Sequence, residues 1–180
     1  AIGSPEFGDL ERFREATAVQ PGLPPRVLLI GGSVYWESTL LWVRLVASWA
    51  QRQSNQPTLV WRPYPGSANR GQIQDLLDAA EQLQIELDAD SVSTSTHLDL
   101  SGSPADRSAA FERYIKLIKG ADVVVADPTS AVLDSRMASK PVIVPVLREH
   151  ATLGGFRDDY LSHLHLRSLS QMTGVFVAER

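Results

Sequence analysis

The chain has 180 residues, 43% of them hydrophobic, and a formal net charge of −4. That length supports one domain with a real hydrophobic core, and the charge gives no general attraction to nucleic acid or anionic membrane. There are no cysteines, which excludes disulfides, Cys-ligated zinc, iron–sulfur clusters and cysteine nucleophiles, and no apolar run reaches the ~20 residues of a membrane helix.

Residues 1–8, AIGSPEFG, lack the basic and apolar regions of a signal peptide. They look like the remnant of an expression vector. Native sequence would then start near Asp9, either as an excised domain or as a short natural protein. Residues 9–19 suit a short helix, which Pro21, Gly22, Pro24 and Pro25 stop. Residues 9–25 are therefore expected to be a helix and linker, and 26–180 the domain proper.

Within it, residues 26–30 read as a buried parallel strand, followed by the tight turn Gly31-Gly32-Ser33. Residues 35–53 form a helical pattern with Leu40, Leu41, Val43, Leu45, Val46 and Trp49 near its apolar face. Residues 58–61 are a second strand. It ends in Arg62-Pro63-Tyr64-Pro65-Gly66, which two prolines stiffen. A helix over 70–84 and a short strand over 85–87 follow. The polar stretch 88–103 is expected to hold two short extended pieces and a loop. Residues 104–118 are a helix with Ser103 as N-cap, Lys116 and Lys119 in its last turn and Gly120 as its stop. A strand over 121–126, a helix over 130–138 and a strand over 141–146 complete the central part. A loop over 147–159, a short helix within 160–172 and a last strand over 175–177 close the chain. Strands and helices alternate with short connections, which predicts an α/β domain of three layers, α/β/α, around a mostly parallel sheet.

The strongest functional signal is Ala121-Asp122-Val123-Val124-Val125-Ala126-Asp127-Pro128-Thr129-Ser130. An apolar strand runs into a carboxylate, a proline and two hydroxyls, and a helix follows. Ligands of open α/β sheets bind beyond the carboxyl ends of strands, and the first turn of a helix offers free N–H groups to an anion. One of Thr129 and Ser130 is expected to cap the helix and the other to hold a phosphate. Asp134, four residues on, suits a ribose hydroxyl or a solvated surface. Gly32 and Ser33 can bring backbone and hydroxyl to a ligand or simply turn the chain; the spacing is not GxGxxG and lacks a P-loop lysine. Arg62 can grip phosphate in bidentate fashion or pair with a nearby carboxylate. Tyr64 can stack on a ligand ring or pack on the sheet edge. Asp127 can act as a general base or accept hydrogen bonds within its turn. His97, His150, His163 and His165 show no zincin spacing, and no metal site is expected. His150, in the loop after a strand, is the histidine placed nearest a ligand.

The string ADVVVADPTSAVLDSRMASKPVIVP resembles the carboxyl-terminal domain of two-domain GT-B-type glycosyltransferases. The closer likeness is to polyol-phosphate and cell-surface polymer transferases that use a nucleotide-activated donor. In that family an apolar strand is followed by an aspartate, two hydroxyl residues, a helix with an acidic residue, and a lysine–proline pair. Those places look to be held by Asp127, Thr129-Ser130, Asp134 and Lys140-Pro141. Upstream, WRPYPG resembles a strand-end motif of a basic residue, proline, histidine and proline, matched by Arg62, Pro63 and Pro65. Tyr64 stands where relatives carry a histidine, and a tyrosine can donate a hydrogen bond but cannot be cationic.

The resemblance implies a Rossmann-like domain that binds a CDP-, UDP- or GDP-linked sugar or polyol as substrate, with no tightly held cofactor. Gly32, Ser33, Arg62, Thr129, Ser130 and Asp134 would line the donor site. Catalytic residues are not assigned. An amino-terminal acceptor-binding domain, missing from this chain, would be its partner in cell-envelope polysaccharide synthesis. The isolated chain would then turn over little or nothing. It implies a cytoplasmic location, peripheral at the inner membrane face in the full-length protein. Two other readings stay open: half of a sugar-nucleotide epimerase or hydrolase, and a non-catalytic protein-association module, for which an exposed stripe of Trp36, Trp42 and Trp49 would speak.

Overall fold

The computed structural model describes residues 23–31, 36–63, 73–95, 104–146 and 171–179. Six strands form one sheet: β1 (Arg26–Ile30), β2 (Thr58–Arg62), β3 (Glu86–Leu87), β4 (Val123–Ala126), β5 (Val142–Val146) and β6 (Val175–Glu179). Five helices accompany them: α1 (Trp36–Gln51), α2 (Ile73–Leu83), α3 (Ala89–Ser95), α4 (Pro104–Lys119) and α5 (Ser130–Met137). All strand pairs are parallel, in the order β3-β2-β1-β4-β5-β6. This is the three-layer, Rossmann-like order, with its switch point between β1 and β4.

The strands are apolar in continuous runs because both sheet faces are covered. Their alternation divides the core in two. Leu28, Ile30, Val60, Val124, Ala126, Val142 and Val144 pack with Ile115 and Ile118 of α4 and Ala131 and Val132 of α5. Val27, Leu29, Leu59, Trp61 and Val125 pack with Trp42, Val43 and Ala47 of α1 and Leu76 and Ala80 of α2. The helices after β1 and β4 therefore lie on opposite faces, and the two turns diverge between them.

Element boundaries follow the sequence expectation to within three residues, with one correction. The stretch 88–103, expected to hold two short extended pieces and a loop, carries the helix α3 in its first part. Ser, Thr and Asp compete with the backbone for hydrogen bonds and lower helix propensity, so the local sequence reads as loop. The tertiary setting prevails. The Asp88 carbonyl accepts from the Ser91 N–H at 3.1 Å and the Ser91 hydroxyl at 2.7 Å, while Ser91 is buried and Val92 packs on the α1–α2 core. The expected short helix within 160–172, the cap Ser103 and the segments 1–8 and 9–22 lie outside the described residues.

At the amino ends of the strands, the Asp122 carboxylate accepts the Arg26 N–H at 2.7 Å. Gly174 turns at φ +79°, and a side chain there would strike the Arg136 guanidinium. Lys140 sits at this end too, just before β5, and is buried. Burial pushes its amine below the usual lysine value, and Asp122 opposes that shift. The lysine–proline pair therefore lies at the opposite end of the strands from the start of α5.

Candidate functional site

The carboxyl ends of β1 and β4 are tied together before any ligand is considered. Asp127, the first residue past β4, donates its N–H to the Ile30 carbonyl at 3.1 Å. Strand alternation aims its side chain at the α1 face, where it is 3% exposed. Its two carboxylate oxygens accept from the Thr39 hydroxyl and the Trp42 indole N–H, each at 2.8 Å. Asp127 thus joins the turn after β4 to the helix after β1 through side chains. Its oxygens do not point openly into the crevice as a general base would.

Gly31, the last described residue of the first turn, shows how closely α1 approaches. A Cβ there would lie 2.5 Å from Thr39 Cγ2 and 3.4 Å from Trp61 Nε1. Only a glycine lets backbone and helix meet at that distance. Gly32 and Ser33, which follow, lie outside the described residues, as do Tyr64 and all four histidines.

On the opposite face, Thr129 is the N-cap of α5, with extended backbone and its hydroxyl accepting the Ala131 N–H at 3.3 Å. Ser130, the first helical residue, is exposed. The division between one capping hydroxyl and one open hydroxyl is therefore present, with Thr129 as the cap. No acidic residue occupies the first turn of α5, so its positive end is not neutralised from within.

Arg62 ends β2 in register with Ile30 and points to the same face as α4 and α5. Its Nη1 pairs with the Asp88 carboxylate, and its Cζ lies 4.9 Å from the centre of the Tyr114 ring. The Tyr114 hydroxyl donates to Asp134 Oδ2 at 2.9 Å. Asp134 is buried, so of its two expected settings, a ribose hydroxyl or a solvated surface, the second is excluded, and its Oδ2 is already engaged by Tyr114. Burial and the Asp134 carboxylate hold the Tyr114 hydroxyl well above the usual tyrosine pKa, against a smaller pull from Arg62. Arg62 and Asp134, 72 positions apart in sequence, are linked by one tyrosine.

Tyr114, Asp88, Thr39 and Trp42 were not among the expected site residues. The signal for Tyr114 was present: it falls on the α4 stripe with Phe111, Ile115 and Ile118, and a buried tyrosine hydroxyl needs a partner. Which carboxylate would supply it was not legible. Of the three tryptophans near α1, Trp42 is buried in the core and Trp49 is 46% exposed. The described residues include no group of three or more His, Asp or Glu placed to hold a metal ion, and no described helix is long and apolar enough to cross a membrane.

Comparison with known protein families, curated proteins and solved structures found no match to this chain.

Proposed function

We propose that this domain is the nucleotide-donor-binding half of a glycosyltransferase-type enzyme that moves a sugar or polyol-phosphate group to a cell-surface polymer or glycan. The observation that carries this reading is the location of two sequence-defined turns. Gly31 and the Asp127–Ser130 turn flank the β1/β4 switch point, where doubly wound sheets bind nucleotides. The positive end of α5 and the exposed Ser130 hydroxyl receive the diphosphate. Arg62, its charge paired with Asp88, offers guanidinium donors on the same face beyond the one Asp88 uses. These groups hold charge on the nucleotide as it leaves. An acceptor-binding partner domain closes the crevice and positions the second substrate.

Titration calorimetry and thermal shift with CDP, UDP and GDP test the reading. One nucleotide is expected to bind and raise the melting temperature. Ser130→Ala, an exposed position outside the Thr129 cap, is expected to weaken that nucleotide by about tenfold, the scale of one hydrogen bond to a charged group. Absence of binding by all three at millimolar concentration refutes the nucleotide reading. Equal binding to Ser130→Ala refutes the phosphate placement.

A further inference from the structure

Phe176 is 60% exposed and Trp49 46% exposed, and the fold brings both to one place. Phe176 pairs with Ile143, and Ile143 with Val125, so all three share the α1 face of the sheet. Ala178, two residues on, shares that face and is also exposed. Val175 and Val177 point the other way and pack with the α4–α5 core. On α1, the Trp42 indole reaches Asp127 at the end of β4. Leu45 and Trp49 lie three and seven residues after Trp42 and share its stripe. They therefore face the β4 side of the helix, away from α2. The result is an apolar lane, with Ile143, Phe176 and Ala178 as its floor and Leu45 and Trp49 along its wall.

The lane is one helix wide. Strands lie ~4.8 Å apart and packed helices ~10 Å apart, so one helix covers about two strands. On this face α1 and α2 cover β3, β2, β1 and β4, and Phe176 and Ala178 beyond them stay uncovered. The connection from β5 to β6 is not the missing cover. β4, β5 and β6 step in one direction, and right-handed crossovers stepping one way run over one face. That face carries α5, through Ala131 and Val132. The chain before β1 is better placed. In residues 9–19, Leu10, Phe13 and Thr17 fall at helical spacing, with Glu11, Arg12 and Glu15 on the other side. This chain enters β1 at the amino end of the sheet, where Trp49 closes α1. From the foot of β1 to the middle of the lane is about 12 Å across the sheet and about 10 Å above it, roughly 16 Å in all. Residues 20–25 span up to about 20 Å when extended.

We propose that the lane over β5 and β6 is a docking site for residues 9–19 of this same chain, which lie in it as a helix with Leu10 and Phe13 against Phe176, Ala178 and Trp49. Docking covers the tryptophan that would otherwise mark an association surface. The proposal does not depend on the nucleotide reading. Hydrogen–deuterium exchange of the full chain tests it. A helix this short is marginal by itself in water, so protection of amides 13–19 reports docking rather than local propensity. Those amides are expected to exchange about tenfold or more slowly than in a synthetic peptide of residues 9–19. Phe176→Asp and Ala178→Glu, both at exposed positions, put a charge on the lane floor. Each should return the segment to the peptide's rate while the amides of β1 and β4 stay protected.

Peptide-like exchange in the unmodified chain overturns the proposal. Protection that survives both charge variants also overturns it, because the segment then docks elsewhere. Cross-linking reads the contact without relying on those variants to fold. The chain has no cysteines, so Phe13→Cys and Phe176→Cys, introduced together, can be joined by a short bis-maleimide. A product within one chain is expected, and its absence counts against the docking. A cross-link between chains, with a concentration-dependent dimer in ultracentrifugation that Phe176→Asp dissociates, assigns the lane to a second copy and overturns the proposal.

Discussion

Removing the Asp127 carboxylate is expected to loosen the floor of the switch point. In Asp127→Ala the Thr39 hydroxyl and Trp42 indole N–H each lose an acceptor at 2.8 Å, in a place where Trp42 is 1% exposed. Hydrogen bonds to a charged group contribute about 1.5–3 kcal/mol each, and stranded buried donors keep their desolvation cost. The expected loss is therefore about 3–6 kcal/mol, a large fraction of the ~5–15 kcal/mol that holds a typical domain folded. Asp127→Asn is gentler. Its amide oxygen can accept from Trp42 while its NH2 donates to the Thr39 hydroxyl, which also accepts. A loss of about 1–2 kcal/mol is expected there. Urea unfolding followed by tryptophan fluorescence reads both variants. A cycle with Thr39→Val should show Asp127→Ala costing about 1–2 kcal/mol less once Thr39 is already gone. A midpoint for Asp127→Ala within about 1 kcal/mol of the parent refutes the argument. So does strict additivity with Thr39→Val.

Gly31→Ala places a methyl 2.5 Å from Thr39 Cγ2, so urea unfolding should show a loss of about 1–3 kcal/mol from overpacking. Tyr114→Phe leaves the ring under Arg62 but takes the donor from buried Asp134, and about 1–3 kcal/mol should be lost near neutral pH. The same residue sets an alkaline limit. Its pKa is raised in the fold, so the unfolded chain releases this proton first, near the ordinary tyrosine value of about 10. The stabilisation is complete below that pH and is lost as pH rises through the raised value. The parent should therefore lose stability relative to Tyr114→Phe above about pH 10 in pH-dependent urea titrations. A constant difference between the two would refute the assignment of that titration to Tyr114.

The fold was legible because its signals are local. Uninterrupted apolar runs such as Val27–Ile30 and Val123–Val125 mark strands covered on both faces. Gly31, Pro128 and Gly120 mark where elements stop. The turn at 127–130 also gave its own grammar, with a hydroxyl that caps and a hydroxyl that stays open. What failed locally was α3, whose Ser- and Asp-rich sequence is a weak helix former and needed the Asp88 anchor and the α1–α2 core beneath it.

Partnerships behaved differently. Asp127 was open to a base's role but favoured as a turn acceptor, and it became a clamp because β4 lies beside β1 and alternation turns its carboxylate toward α1. Asp134 was open to a ribose contact or a surface setting until α4 brought Tyr114 across it.

The sequence alone determined nearly all the strands and helices, α3 excepted, that they alternate, and where the turns after β1 and β4 begin, because those properties arise from residues a few positions apart. The tertiary structure decided which turns meet and which carboxylates are already engaged. Those outcomes depend on strand order and on side chains such as Arg62, Tyr114 and Asp134, which only packing brings into contact.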